Sequence, residues 1–186
     1  LSQEGFSKEP ERTILPIENP SEELPSVEPI PEDDTPDVDD PEAPPVTQFT
    51  LKASDALVSN GMVFENDAVF HTAGSFNPAN SGLALFNFNI EVAGEYALDA
   101  LVLAPDRSSN SFFIDIDREP NADKAWRMVA DPAIVKKRVR VGNFAPDPND
   151  PAPEHRFILS EGSHQIFIRG REPNTRLFEI TVLKVD

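Results

Sequence analysis

The sequence predicts an all-β fold, a jelly-roll or β-sandwich, preceded by an acidic Pro-rich linker. Three observations carry this. Eight to ten short apolar stretches, separated by polar turns, fill residues 48–186. No stretch of ten or more residues has a convincing helical period. Residues 1–47 hold ten of the 19 prolines and fourteen of the 33 acidic residues, against only Lys8 and Arg12.

That leading segment reads as a disordered linker. Proline removes backbone donors and like charges repel, so ILPIENPSEELPSVEPIPEDDTPDVDDPEAPP is expected to be extended and partly polyproline II. A calcium-binding arm around Glu32 to Asp40 is the alternative, but no glycine there supplies the turn that gathers oxygens onto one ion. The segment carries a net charge of −12 out of −17, leaving −5 for residues 48–186. An acidic balance argues against duplex nucleic acid as partner. With no cysteine, disulfides and thiolate-bound metals are excluded. No apolar run approaches the roughly 18 residues of a membrane span. The start at Leu1 reads as a piece excised from something longer.

From Gln48 the elements follow in order. FTLKASDAL is a first strand, Ser59-Asn60-Gly61 a turn, and Met62 to Phe64 a second strand. His71 to Gly82 is a polar loop. Leu83 to Val92 alternates, with Ala84, Phe86, Phe88 and Ile90 on one face and Asn87 and Asn89 on the other. EYALDALVLA is a nearly continuous apolar strand expected to be buried on both faces, and it holds Tyr96. Pro105 to Asn110 is a second polar loop, and SFFIDID a strand with Phe112, Ile114 and Ile116 inward. Arg118 to Lys124 is a polar loop; Ala125 to Val129 is a short strand containing Trp126. Val135 to Val141 is a basic strand, and Phe144 to Glu154 a proline-rich loop. His155 to Leu159 and His164 to Gly170 read as a hairpin across Ser160–Ser163. In the last strand, LFEITVLKV, Phe178, Ile180 and Val182 are expected to face inward.

Four segments carry a family likeness: Ala93-Gly94-Glu95-Tyr96, Ala104-Pro105-Asp106 with Ser109-Asn110-Ser111-Phe112-Phe113, Glu161-Gly162-Ser163-His164, and the loop from Gly170-Arg171-Glu172 to Arg176-Leu177. In their order and spacing residues 48–186 resemble the β-sandwich carbohydrate-binding modules of families six and thirty-five, a galactose-binding-like jelly-roll group. The resemblance implies a non-catalytic module that holds a polysaccharide in loops at one end, secreted or at the cell surface. It also implies a catalytic domain elsewhere in the parent chain, reached through the linker. Many members bind a structural calcium through a Glu-x-Glu pair in the first strand. Here the matching positions are Lys52 and Ser54, with Asp55 adjacent, while Glu179 matches the last-strand acidic position. An ammonium cannot ligate calcium, so the metal candidates reduce to Glu179 and Asp55.

Sugar recognition needs an aromatic face for the ring and planar polar groups for its hydroxyls. Trp126, between Lys124 and Arg127, is either such a platform or a tryptophan closing the edge of the core. Arg171, Glu172 and Arg176 either meet ligand or form ion pairs that shape their loop; Asn174 is the best polar candidate there. Asp106, Arg107, Ser108, Ser109 and Asn110 make a second candidate loop, whose alternative is turn formation. Lys136, Lys137, Arg138 and Arg140, with Arg169, Arg171 and Arg176, are either a patch for an anionic polysaccharide or a solvated face.

Catalysis finds little support. His71, His155 and His164 are scattered, Asp115 and Asp117 do not by themselves define a cleft, and no nucleophile elbow or phosphate loop occurs. The reading is therefore a non-enzymatic glycan-binding module. A structural or protein-interaction spacer is the alternative, favoured if Trp126 and Asn174 prove buried or far apart.

Overall fold

The computed structural model describes residues 47–142, 149 and 153–185. Residues 1–46 of the expected linker and most of the proline-rich loop at 144–154 lie outside the described residues. In chain order the strands are β1 (Gln48–Lys52), β2 (Leu57–Ser59), β3 (Met62–Glu65), β4 (Ala68–His71), β5 (Leu83–Ile90) and β6 (Gly94–Ala104). They continue as β7 (Ser111–Ile116), β8 (Ala125–Arg127), β9 (Asp131–Arg138), β10 (Arg156–Leu159), β11 (Gly162–Gly170) and β12 (Arg176–Lys184). Among the described residues the only helical pieces are three 3-10 turns of three residues.

The strands form two antiparallel sheets packed around one core, as the sandwich expectation requires. In the seven-stranded sheet β6 and β12 are central neighbours. Strands β10 and β9 share the far edge of β6, while β1 and β4 share that of β12, with β3 outside β4. The five-stranded sheet runs β2-β5-β11-β7-β8.

Alternation explains which side chains fill the core. On β5, Ala84, Phe86, Phe88 and Ile90 are buried while Asn87 and Asn89 are exposed. On β11, Ile166 and Ile168 are fully buried. Tyr96 sits in the core and donates its hydroxyl proton to the Val92 carbonyl at 2.6 Å, which satisfies the one polar atom it carries inward.

Several expectations are corrected. Strand β6 is not buried on both faces: Asp99, Leu101 and Leu103 are half-exposed, because a two-layer sandwich covers only the inner side of each sheet. Phe178 does not face inward. A bulge between Leu177 and Glu179 inserts a residue against β6, so Leu177, Ile180 and Val182 take the core positions. The first strand breaks at Ala53–Asp55, where the chain leaves the larger sheet as β1 and joins the smaller as β2. There the Asp55 carboxylate accepts the Lys52 backbone N–H at 2.8 Å. The basic strand lies at Asp131–Arg138, with Pro132 in a register shift opposite Leu103 and Ala104.

The expected hairpin at 155–170 is absent. Strand β10 bonds to β6, whereas β11 bonds to β5 and β7, so the intervening turn crosses between sheets. Alternation reports which residues face the core, and it is the same whether neighbouring strands share a sheet or oppose each other across it.

Register also fixes where the loops gather. Gly170 pairs with Phe112, Arg169 with Leu83, Arg176 with Leu103 and Leu177 with Val69. The connections at 72–82, 105–110 and 171–175 therefore meet at one end. There the buried His71 ring lies against Gly82 and Gly170, where a β-carbon would overlap the Met62 backbone or His71 itself. Gly170→Ala is expected to destabilise the fold by about 2 kcal/mol, as overpacking of a filled site does. Urea denaturation would measure it, and an unchanged midpoint would contradict this packing.

Candidate functional site

The loop at 171–175 organises this end. Arg171 and Glu172 are both buried and pair with each other, Nη1 to Oε1 at 3.0 Å. The same Nη1 donates to Ser111 Oγ at 2.8 Å, and Glu172 Oε2 accepts the Asn110 backbone N–H at 2.9 Å. Thr175 Oγ1 accepts the Ser111 N–H at 3.3 Å. These bonds bolt the loop to the start of β7. On its other side Ser75 N–H donates to the Arg171 carbonyl at 3.0 Å and Asn174 N–H to the His71 carbonyl at 3.2 Å. The loop at 72–82 is thus laid alongside, and the Gly74 N–H reaches His71 Nδ1.

This arrangement presents Phe76 at the surface. Its ring is stacked on the Arg171 guanidinium, 4.6 Å from centroid to Cζ, while the residue remains 70 % exposed. Beneath, Arg171 also faces the buried Phe113 ring at 5.9 Å. One face of Phe76 is therefore held by a cation and the other is open. The residues that follow it in the chain, Asn77, Pro78 and Ala79, form one side of a cleft of about 490 Å³, with Pro120, Asn121 and Ala122 on the other. Asn77 and Asn121 each cap a 3-10 turn, accepting backbone N–H groups at 3.1 and 3.0 Å. Arg169 joins the two sides: its Nε and Nη2 donate to the Glu119 carboxylate at 2.8 and 2.6 Å, and its Nη1 to the Ser81 carbonyl at 2.7 Å. The volume lies in the range of small-ligand clefts.

Of the residues singled out from sequence, Asn174 is exposed beside the loop at 72–82, in the left-handed region at φ +60° that asparagine tolerates. Arg176 is half-buried and stacks on the Phe70 ring at 3.9 Å. Arg171 and Glu172 build the loop through their ion pair. Asp106 is exposed, but its carboxylate closes its own turn on Ser108 N–H at 2.8 Å and Oγ at 2.6 Å, and these bonds hold its pKa below the ordinary value. Asn110 is buried, with its backbone N–H bonded to Glu172 and its carbonyl to Met128 N–H.

Trp126 is corrected outright. At 1 % exposure it packs on Phe112 inside the core, and no face of the indole is open. The short strand β8 pairs with β7, and that register directs Trp126 inward with Phe112. At the loop end it is Phe76 that is exposed. A phenylalanine among Gly, Ser, Asn and Pro, with no apolar residue two positions away on either side, was the available sign that it lies outside any core strand.

A second hollow lies on the outer face of the smaller sheet, bordered by Asn87, Asn89, Ser163 and Gln165. Gln165 Nε2 donates to Asn87 Oδ1 at 2.8 Å. The adjoining Phe88 is buried, so the hollow offers no stacking surface, and the loop end is the better candidate. Asp117, at φ +59°, borders this hollow, whereas Asp115 is held under Arg118 at 2.6 Å and Lys124 at 3.7 Å. Asp115 does not line that hollow.

No family profile matches this sequence, and no curated relative does. Solved structures do. A family 35 carbohydrate-binding module from Clostridium thermocellum aligns with a TM-score of 0.53 at 13% identity, over 75% of this chain and 100% of that one. The chain shares the fold of that module. A GH26-CBM35 β-(1,4)-mannanase from Podospora anserina gives 0.52 at 14% identity, over 75% of this chain; the match spans only 28% of that enzyme.

The calcium implied by the family 35 likeness does not fit these residues. Lys52 stands directly opposite Glu179 in the β1–β12 register, and both line the same hollow with Asp67 and Phe178. Asp55 is turned onto Lys52 N–H and Ser54 Oγ. An ammonium beside the single matching carboxylate disfavours a divalent cation. The thermal midpoint is therefore expected to be the same in calcium and in EDTA, as differential scanning fluorimetry would register.

His164 gives a pH expectation. Its Nδ1 lies 2.6 Å from Asp117 Oδ2 and its Nε2 2.8 Å from the Ser160 carbonyl. Burial alone lowers its pKa, but two acceptors and the Asp117 charge outweigh it, and the net direction is up. The imidazolium's contribution is thus complete below about pH 6.5, the unfolded value, and is lost as pH rises through the raised folded value. His155 shifts the opposite way, through burial and Lys124. The stability gap between the wild type and His164→Gln is accordingly expected to narrow from pH 6 to pH 8 in urea denaturation.

Proposed function

We propose that this chain binds carbohydrate without catalysis, at the loop-bearing end of the sandwich. The observation that carries the reading is Phe76: an open aromatic face, braced by Arg171, beside a cleft edged by asparagines. A sugar ring would lie on the phenyl face, with Asn174, Asn77 and Asn121 supplying donors and acceptors to its hydroxyls. The family 35 fold supports this assignment. In the fuller form of the proposal the protein is secreted or surface-attached, and the module tethers an enzyme or surface protein to a polysaccharide. The gain would be one of effective concentration rather than chemistry.

Burial of Trp126 favours the second reading, a structural spacer, because it removes the tryptophan platform. The two separate in one experiment. Affinity electrophoresis of the full chain through gels containing mannan, xylan, β-glucan or pectin is expected to show retardation in at least one. Phe76→Ala should weaken that binding about tenfold or more, from the loss of stacking, and leave the unfolding midpoint unchanged. Retardation in no gel would leave the spacer.

A further inference from the structure

We infer that the outer face of the larger sheet is a dimer interface, on which a second copy of this chain docks about a two-fold axis running along β6. The two outer faces of the sandwich differ. That of the smaller sheet carries Asn87, Asn89, Ser163 and Gln165, the polar surface that water ordinarily covers. On the larger sheet the corresponding surface is apolar. Leu101 and Leu103 point outward from β6, and residues directly opposed across strands share a face. Leu103 is paired with Ile134 of β9, which is 51 % exposed. On the other side of β6 the bulge in β12 turns Phe178 out beside Leu101. These four side chains form one band across β9, β6 and β12, and each of them is exposed or half-exposed.

The charges beside the band point to a second copy as its occupant. Lys136 of β9 and Glu179 of β12 are both paired with Leu101, so the register sets a cation, a leucine and a carboxylate in one row. Neither charge has an ion pair among the described residues, and Lys52, opposite Glu179 on β1, forms none with it. The next row is closed on itself, since Arg138 Nε donates to Asp99 at 2.6 Å. A two-fold axis parallel to β6 and passing over Leu101 exchanges the two sides of the row. Lys136 of each copy then faces Glu179 of the other. Facing sheets pack about 10 Å apart, a gap that a lysine and a glutamate side chain bridge together. The apolar band meets itself at the centre and two ion pairs rim it. A wholly acidic or wholly basic partner would satisfy only one of the two charges. The same axis preserves strand direction, so the loop ends of both copies point the same way. Under the carbohydrate-binding reading, two sites would then face one polysaccharide.

The test is sedimentation velocity of the full chain over a rising concentration series. The weight-average mass is expected to climb from that of one chain toward that of two at concentrations on the order of 100 µM, because so small an apolar band makes a weak interface. Lys136→Glu, at an exposed position, should weaken association about tenfold or more by setting like charges against each other, and Glu179→Lys should do the same. Combining Lys136→Glu with Glu179→Lys restores opposite charges and should recover the dimer. A merely structural role for either side chain would leave the double variant no better than the singles. Leu101→Ser should abolish association with an unchanged circular dichroism spectrum, and it serves as the test if a charge reversal fails to fold. A mass that stays at one chain through the whole series would overturn the inference, as would a dimer indifferent to all of these substitutions. Either result leaves the glycan-binding function to the gels, which test it separately.

Discussion

The buried pair of Arg171 and Glu172 is what the loop end of this sandwich depends on. Neighbours in sequence, they reach in different directions: the guanidinium to Ser111 and the ring of Phe76, the carboxylate to the Asn110 backbone. Removing one member of such a pair typically costs about 3–5 kcal/mol, because the other is left charged and dry. Here the survivor on loss of Glu172 would be a cation whose pKa is already lowered by burial and by the charge of Arg127. The pair therefore does more than staple a loop. It sets the height and tilt of the open face of Phe76, and it couples the rigidity of β7 to that ring.

Much of the fold was legible in the sequence, since period-two burial was written plainly in β5 and along most of β11. What stayed hidden were the features that alternation does not encode. The bulge at Leu177–Glu179 moves Phe178 outward without altering composition, and the crossing between β10 and β11 carries the same pattern as a hairpin. The break at Ala53–Asp55 likewise separates two strands that read as one. Strand β4 was missed because all four of its residues are buried and it gives no alternation to detect.

The site was less legible than the fold. The loop at 171–175 was singled out, and so was the prospect that Arg171 and Glu172 would form an ion pair. The platform was sought at Trp126 on the strength of residue type, and the register of a three-residue strand sends that indole into the core. Phe76 was one of 13 phenylalanines, six of which (Phe70, Phe86, Phe88, Phe112, Phe113 and Phe157) are buried, and only its turn-rich neighbourhood set it apart.

Strands β1 and β12 pair antiparallel along the edge of the larger sheet, Gln48 opposite Leu183, with the Lys184 N–H bonded to the Thr47 carbonyl at 2.8 Å. The chain thus enters and leaves the folded region through adjacent doors. Tension applied between those two points would load the β1–β12 hydrogen bonds one after another, like a zip, rather than all together in shear. Such a module yields progressively under load, and it can hang from the side of a longer polypeptide without lengthening it.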